Sequence, residues 1–106
     1  MIDLTQNEMQ VMKLTLNYED RESQLSDNMC NAGTVDVMQN TGWSKEKVGG
    51  VISSLEKKGL IEPDESKRGY AFIIWLTREG VNAYFDNFYK DRLNAPKQKF
   101  KNNLGH

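Results

Sequence analysis

The sequence has little of what catalytic and metal sites require. Of its 106 residues, one is a cysteine, Cys30, and one is a histidine, His106. A single cysteine cannot form a disulfide within the chain, and one histidine leaves neither a cluster of metal ligands nor the usual Ser-His or Cys-His pair. A glycine loop followed by Lys-Ser or Lys-Thr, which would cradle phosphates, is also missing. We therefore expect a protein that is not an enzyme and that needs no metal and no cofactor. We also expect Cys30 to be inert, since no cation or base lies beside it in the sequence.

Long apolar runs are missing as well. No stretch approaches the length that spans a bilayer, and Met1-Ile2-Asp3-Leu4 does not start like a secretion signal. We expect a cytoplasmic protein with no membrane partner. The length suits one domain with a modest core.

The chain also lacks an excess of charge of either sign, with a formal net charge of −1. Many DNA-binding domains are plainly basic, because neutralised phosphates supply most of their non-specific affinity. The charge is nevertheless uneven. Residues 1–32 hold two basic and six acidic side chains, whereas residues 90–106 hold five basic and one acidic. This polarity could orient the protein on an anionic partner, or it could reflect solvated ends only.

Outside residues 34–80, helix-capping residues and the spacing of apolar residues predict the secondary structure. Thr5 and Glu8 form a capping-box pattern, which predicts a first helix to about Asn17. Residues 18–32 are polar and predict an unusually long loop, in which Leu25 could lie in a short strand that pairs with a later hairpin. Residues 94–106 predict a basic, disordered tail after the domain formed by residues 1–93.

Residues 34–80 carry most of the information. A short helix is predicted over Thr34–Asn40, a turn at Thr41-Gly42-Trp43, and a longer helix over Ser44–Lys58 that Gly59 ends. Two strands follow, Leu60–Glu62 and Tyr70–Leu76, and Thr77 caps a last helix. The sequence thus predicts an α+β, mostly helical winged helix-turn-helix, with a three-helix core, a two- to three-stranded wing and a C-terminal helix. In that fold the second helix of the pair is placed to enter a DNA major groove.

Two stretches of the chain resemble known regulators. The stretch Gly-Trp-Ser-Lys-Glu-Lys-Val from Gly42, continued by Leu-Glu-Lys-Lys-Gly-Leu-Ile from Leu55, is similar to the recognition-helix segment of MarR-type winged-helix regulators. Leu-Thr-Arg-Glu-Gly from Leu76 resembles their Leu-Thr-x-x-Gly junction after the wing. The resemblance covers about residues 31–81 and implies sequence-specific binding of double-stranded DNA.

The chain departs from that family in three places. It has Gly50 where the family often has a base-reading arginine or another polar residue, and its wing is spaced differently. Its first helix begins near residue 1, so the additional N-terminal dimerisation helix of such regulators is not expected. A homodimer would then rely on the C-terminal helix.

The predicted sites follow from the fold and the resemblance together. The residues predicted to contact DNA are polar, cationic or small, and lie on the recognition helix, at the start of the preceding helix or at the wing tip: Thr34, Ser44, Lys45, Lys47, Gly49, Gly50, Ser53, Ser54, Lys57, Lys67 and Arg68. The predicted dimer interface is Val81, Tyr84, Phe85 and Phe88. These aromatic residues could equally be core, and Trp43 is expected to be a core plug. Gly49-Gly50 suggests close backbone approach, either to DNA or to the packed first helix.

Three functions remain open from the sequence. The first is a small DNA-binding transcriptional regulator. The second is a winged-helix interaction module that docks on a protein of transcription, replication or nuclease function, which the near-neutral charge favours. The third is a ligand-sensing switch, which requires a sizeable cavity beside Tyr84 and Phe88.

Overall fold

The computed structural model describes residues 2–27, 29–64 and 71–93, without the side chains of residues 91–93. Over these residues the chain is α+β and mostly helical, as predicted. The helices are α1 (Gln6–Thr15), α2 (Arg21–Ser26), α3 (Thr34–Thr41), α4 (Lys45–Lys57) and α5 (Arg78–Leu93). The strands are β1 (Asn31–Gly33), β2 (Ile61–Pro63) and β3 (Ile73–Leu76). A membrane-crossing helix, which must be both long and apolar, does not occur among these described helices.

The sheet is antiparallel with the strand order β1-β3-β2. Ala32 pairs with Ile74 on one side of β3, and Glu62 pairs with Trp75 on the other. The strand that joins the β2–β3 hairpin therefore lies at Asn31–Gly33, and the prediction of a strand around Leu25 is wrong. The inner face of β3 is buried at Ile74 and Leu76, whereas Ile73 on the opposite face is 42% exposed. The outer face of β3 is therefore open at that residue.

The polar segment before β1 contains a helix that the sequence pattern did not reveal. Asp20 caps α2 by accepting the Ser23 backbone N–H at 2.8 Å. Gln24 is 1% exposed, and its Oε1 accepts the backbone N–H groups of Asn17 and Tyr18. Arg21 donates to the Asp86 carboxylate on α5 at 2.5 Å. Polar contacts with the rest of the fold stabilise this six-residue helix. Its only buried residue is the polar Gln24, so the sequence shows no apolar periodicity that would predict it.

Helix α4 has the buried stripe that its spacing predicts. Val48, Ile52 and Leu55 are buried and join a core with Val11 and Met12 of α1. The helix begins after Ser44, whose hydroxyl accepts the Lys47 backbone N–H, and Gly59 follows it with φ +75°. Only glycine adopts that left-handed conformation without strain, so the predicted stop is confirmed.

The Leu-Thr-x-x-Gly segment at the start of α5 packs on the backbone carbonyl of Leu60, the residue before β2. The Leu60 carbonyl accepts the Thr77 backbone N–H at 3.0 Å, and the Thr77 hydroxyl accepts the Gly80 N–H at 2.9 Å. A Cβ added at Gly80 would lie 2.1 Å from the same Leu60 oxygen. The backbone of α5 therefore packs on this carbonyl at a distance that only glycine permits.

We expect Gly80→Ala to lower the free energy of unfolding by about 1–3 kcal/mol, because the added methyl group overlaps a backbone oxygen that cannot move cheaply. The matched control is Gly49→Ala. A Cβ there meets no atom of the described residues within 4 Å, so the better helix propensity of alanine should raise stability by about 1 kcal/mol. Urea denaturation of both variants measures the two effects. Equal stabilities would contradict the close contact at Gly80.

Candidate nucleic-acid interface

The turn between α3 and α4 fixes how α4 leaves the fold. Gly42 has φ +75° and donates its N–H to the Met38 carbonyl at 2.8 Å. The Thr41 hydroxyl donates to the Val37 carbonyl and accepts the Trp43 N–H. Trp43 is half-buried against the core, as expected of a plug. The direction of α4 is thus set by hydrogen bonds in the turn and by packing of one large ring.

The side of α4 opposite its buried stripe is open. Most of the residues predicted to contact DNA lie there and are exposed: Lys45, Lys47, Gly49, Gly50, Ser53 and Lys57. We call this surface the α4 face. Ser44, the N-cap residue, is exposed at its start. Glu46 and Glu56 lie on the α4 face too, so its charge is mixed, with lysines in the majority.

The two glycines do not serve packing within the described structure. A Cβ at Gly49 or Gly50 would meet no atom within 4 Å, and neither residue has the left-handed φ that favours glycine. Packing against α1, one of the two explanations left open by the sequence, is therefore excluded. Each glycine costs the helix about 1 kcal/mol relative to alanine. The described fold offers no compensation for this cost.

Lys47 is held by a neighbouring aromatic ring. Its ammonium group lies 4.4 Å from the centroid of the Trp43 ring, a cation–π distance. Because Trp43 is itself anchored in the core, the charge of Lys47 is positioned at one edge of the α4 face while remaining exposed to solvent.

Two residues that were predicted to contact DNA instead form hydrogen bonds within the protein. Thr34 is 2% exposed, and its hydroxyl accepts the backbone N–H of Phe72 at 3.1 Å. The Ser54 hydroxyl donates to a carboxylate oxygen of Glu8 at 2.7 Å. Their sequence positions suggested the binding surface, but their polar atoms complete contacts with other elements. Neither residue belongs to the α4 face.

Glu8 joins α1 to the end of α4 through a buried charge. Its side chain is 3% exposed, and both carboxylate oxygens lie 2.9 Å from the Lys58 ammonium. The carboxylate also accepts the Thr5 backbone N–H, which confirms the predicted capping box. Burial alone raises the pKa of Glu8. The hydrogen bonds from Lys58, Thr5 and Ser54 and the charge of Lys58 together outweigh that effect and hold the pKa below its ordinary value of 4.5.

The wing tip and the C-terminal helix give different outcomes. Lys67 and Arg68 lie outside the described residues, and their predicted role stays a prediction.

The predicted dimer interface on α5 is mostly buried. Three of its residues are at most 6% exposed and pack in the chain's own core, so their side chains are not available to a partner subunit: Val81, Tyr84 and Phe85. Of the predicted dimer residues, only Phe88 is half-buried, and the neighbouring Tyr89 is exposed. The homodimer itself stays untested.

A groove of about 560 Å³ opens between the end of α1 and the face of α5. It is lined from the segment after α1 by Tyr18 and from α5 by four aromatic residues: Tyr84, Phe85, Phe88 and Tyr89. We call it the aromatic groove. Lys13 and Glu19 also line it, and they bring one charge of each sign. This is the cavity that the ligand-sensing hypothesis requires.

The remaining candidate chemistry is sparse. Within the described ranges, the His, Cys, Asp and Glu side chains form no group of three or more that could hold a metal ion. Burial raises the pKa of the Cys30 thiol, which keeps it protonated and agrees with the expected inertness. Compared with models of known protein families and with curated protein sequences, the chain matches none.

We expect Glu8→Gln to lower the free energy of unfolding by about 2 kcal/mol at pH 7, because a charged hydrogen bond to Lys58 is lost. The folded-state pKa is depressed, so the stabilisation by the ionised carboxylate is complete above about 4.5 and is lost as the pH falls through the folded value. The variant should lack that part of the acid dependence.

Denaturation curves between pH 3 and pH 7 measure this effect. The control is the same substitution at Glu22, which is exposed on α2 and should leave both stability and acid dependence nearly unchanged. An unaltered acid dependence in the Glu8 variant would contradict the role assigned to this carboxylate.

Proposed function

We propose that the protein is a small DNA-binding transcriptional regulator of the winged helix-turn-helix class, similar to MarR-type regulators. In this proposal α4 enters the major groove of double-stranded DNA and the β2–β3 hairpin lies beside it as the wing. The order of α3, turn, α4 and antiparallel hairpin is compatible with that fold. The resemblance of residues 42–61 and 76–80 supports it from the sequence.

The α4 face is the observation that carries the proposal. An amphipathic helix buries one side when its apolar stripe packs, and its other side usually carries bulky polar residues. Here the outer side carries lysines around two glycines with open space above them. Small side chains allow a backbone to approach a base edge closely, and flanking ammonium groups suit phosphates. A major groove about 12 Å wide admits such a helix.

The roles of the individual residues follow from their chemistry. Lys45, Lys47 and Lys57 would neutralise phosphates, and Lys45 or Lys47 could also reach guanine edges. The Ser53 hydroxyl would donate a hydrogen bond to, or accept one from, a base edge in the groove or the DNA backbone. With Ser54 committed to Glu8, direct base reading by this helix would depend on few side chains. Positioning by phosphate contacts and DNA shape would then carry much of the affinity.

We expect the double substitution Lys45→Ala and Lys47→Ala to weaken binding to duplex DNA without unfolding the domain, since both side chains are exposed. If each lysine neutralises one phosphate, the slope of log affinity against log salt should shrink by about 1.8. Fluorescence anisotropy with a labelled random duplex at several salt concentrations measures the slope.

The matched control is Lys13→Ala with Lys90→Ala, which removes the same charge from exposed positions on α1 and α5. If affinity and slope change equally in the two double variants, the effect is one of net charge and the α4 face is not the site. Absence of duplex binding by the unaltered protein would overturn the proposal itself.

A second test separates the effect of the glycines on DNA binding from their effect on folding stability. Gly50→Leu should leave the domain as stable or more stable, because leucine is the better helix former and meets open space. It should nevertheless weaken DNA binding, because a bulky side chain keeps the helix from the base edges. Gln10→Leu on the exposed side of α1 is the control. Undiminished binding by the Gly50 variant would show that close approach at this position is not needed.

The second candidate function is a winged-helix module that docks on another protein. Glu46 and Glu56 alternate with lysines on the α4 face, and the chain has a net charge of −1. A mixed face of this kind suits a protein surface of complementary pattern. Salt-insensitive or absent DNA binding, together with loss of a protein partner on substitution of Glu46 and Glu56, would favour this alternative.

A further inference from the structure

The aromatic groove is a surface that the proposed function does not use. It lies at the α1–α5 side of the molecule, and its volume falls in the range of pockets that hold a ligand or several side chains. Tyr18 and Tyr89 at its rim are each 40% exposed. The rings on its α5 side are stacked or set edge to face, with centroids 5.1 to 6.1 Å apart. Such a wall favours an aromatic or aliphatic occupant.

The surroundings of the groove are acidic on one side. Glu19 lines it, and the exposed Asp20 and Glu22 follow along the chain. Two further described carboxylates near this end have side-chain partners: Asp27 accepts the Tyr18 hydroxyl at 2.8 Å, and Asp86 is bound by Arg21. Among the residues that the structure describes, Lys13 is the cation that lines the groove. An occupant with a central ring and flanking positive charges would fit this pattern.

The chain itself contains a segment with that chemistry. Residues 97–101 read Lys-Gln-Lys-Phe-Lys, and Phe100 is the only phenylalanine, tyrosine or tryptophan after α5. Its three lysines carry charge opposite to that of Glu19 in the groove and of the neighbouring Asp20 and Glu22. Pro96 precedes the segment, and proline opposes the continuation of a helix.

The segment is long enough to reach the groove. Tyr89, at the rim, is one helical turn, about 6 Å, from Leu93 at the end of α5. The seven residues from Leu93 to Phe100 span up to about 23 Å when extended. A short connection also gives its two ends an effective concentration on the order of millimolar. In dilute solution this favours the chain's own segment over the same segment of a second copy.

We propose that the aromatic groove binds the chain's own C-terminal segment, with Phe100 inserted among Tyr18, Phe88 and Tyr89 and with lysines of residues 97–101 beside Glu19. This contact is independent of DNA binding by the α4 face. It would cover Phe88, the one predicted dimer residue that is half-buried rather than buried.

Nuclear magnetic resonance of the full-length protein tests the contact. We expect nuclear Overhauser cross-peaks between the Phe100 ring and the rings of Tyr18, Phe88 or Tyr89. Phe100→Ala should shift the resonances of those groove rings, whereas Leu104→Ala, another apolar truncation in the same segment, should shift them little. Absence of the cross-peaks, or equal shifts in the two variants, would overturn the proposal.

Two further measurements settle the occupant and the role of charge. Isotope-filtered spectra of mixed labelled and unlabelled protein should show no cross-peak between copies; a cross-peak there would mean that a second copy supplies the segment. Glu19→Lys should reduce the docked fraction by a factor of about two to five, while the same change at Glu22, which does not line the groove, should have less effect. An equal effect of the two would remove Glu19 from the contact.

Discussion

The position of α4 depends on the buried carboxylate of Glu8. This group satisfies the N-terminal end of α1 through Thr5 and binds the last turn of α4 through Ser54 and Lys58. A charge that is 3% exposed must be fully hydrogen-bonded to be tolerated, so the two helices have little freedom to slide or rotate against each other. Lys58 also donates to the Asp3 carbonyl at 3.3 Å, which extends the connection to the segment before α1. The outward direction of the α4 face is a consequence of this junction and of the turn at Trp43.

The two sides of α4 have opposite effects on the stability of the helix. Its inner stripe is as apolar and regular as a stable helix requires, while its outer side contains two glycines that lower helix stability and gain no contact with the described part of the chain in return. Natural sequences that break a local rule without a structural gain often do so at functional sites. The Gly80 contact shows the opposite case in the same chain, because there the absence of a side chain is required by a neighbouring carbonyl. The two kinds of glycine are distinguishable only from the space around them.

Features encoded locally could be predicted from the sequence, whereas features that depend on distant partners could not. The Ser44 cap, the Gly59 stop and the Thr77–Gly80 junction each involve residues within a few positions, and the structure confirms them. Helix α2 was missed because its stability comes from Gln24 and Arg21 contacting other parts of the chain. The removal of Thr34 and Ser54 from the predicted surface has the same cause. Their hydroxyl partners, Phe72 and Glu8, are 38 and 46 residues away in sequence.

The contact between Lys47 and Trp43 provides a built-in optical reporter. An ammonium group 4.4 Å from the centroid of an indole ring perturbs its excited state, and a polyanion that draws this charge away changes the emission of the ring. The other tryptophan, Trp75, lies in the central strand of the sheet, and its emission adds to that of Trp43. Intrinsic fluorescence therefore reads out events on the α4 side of the molecule without any attached dye.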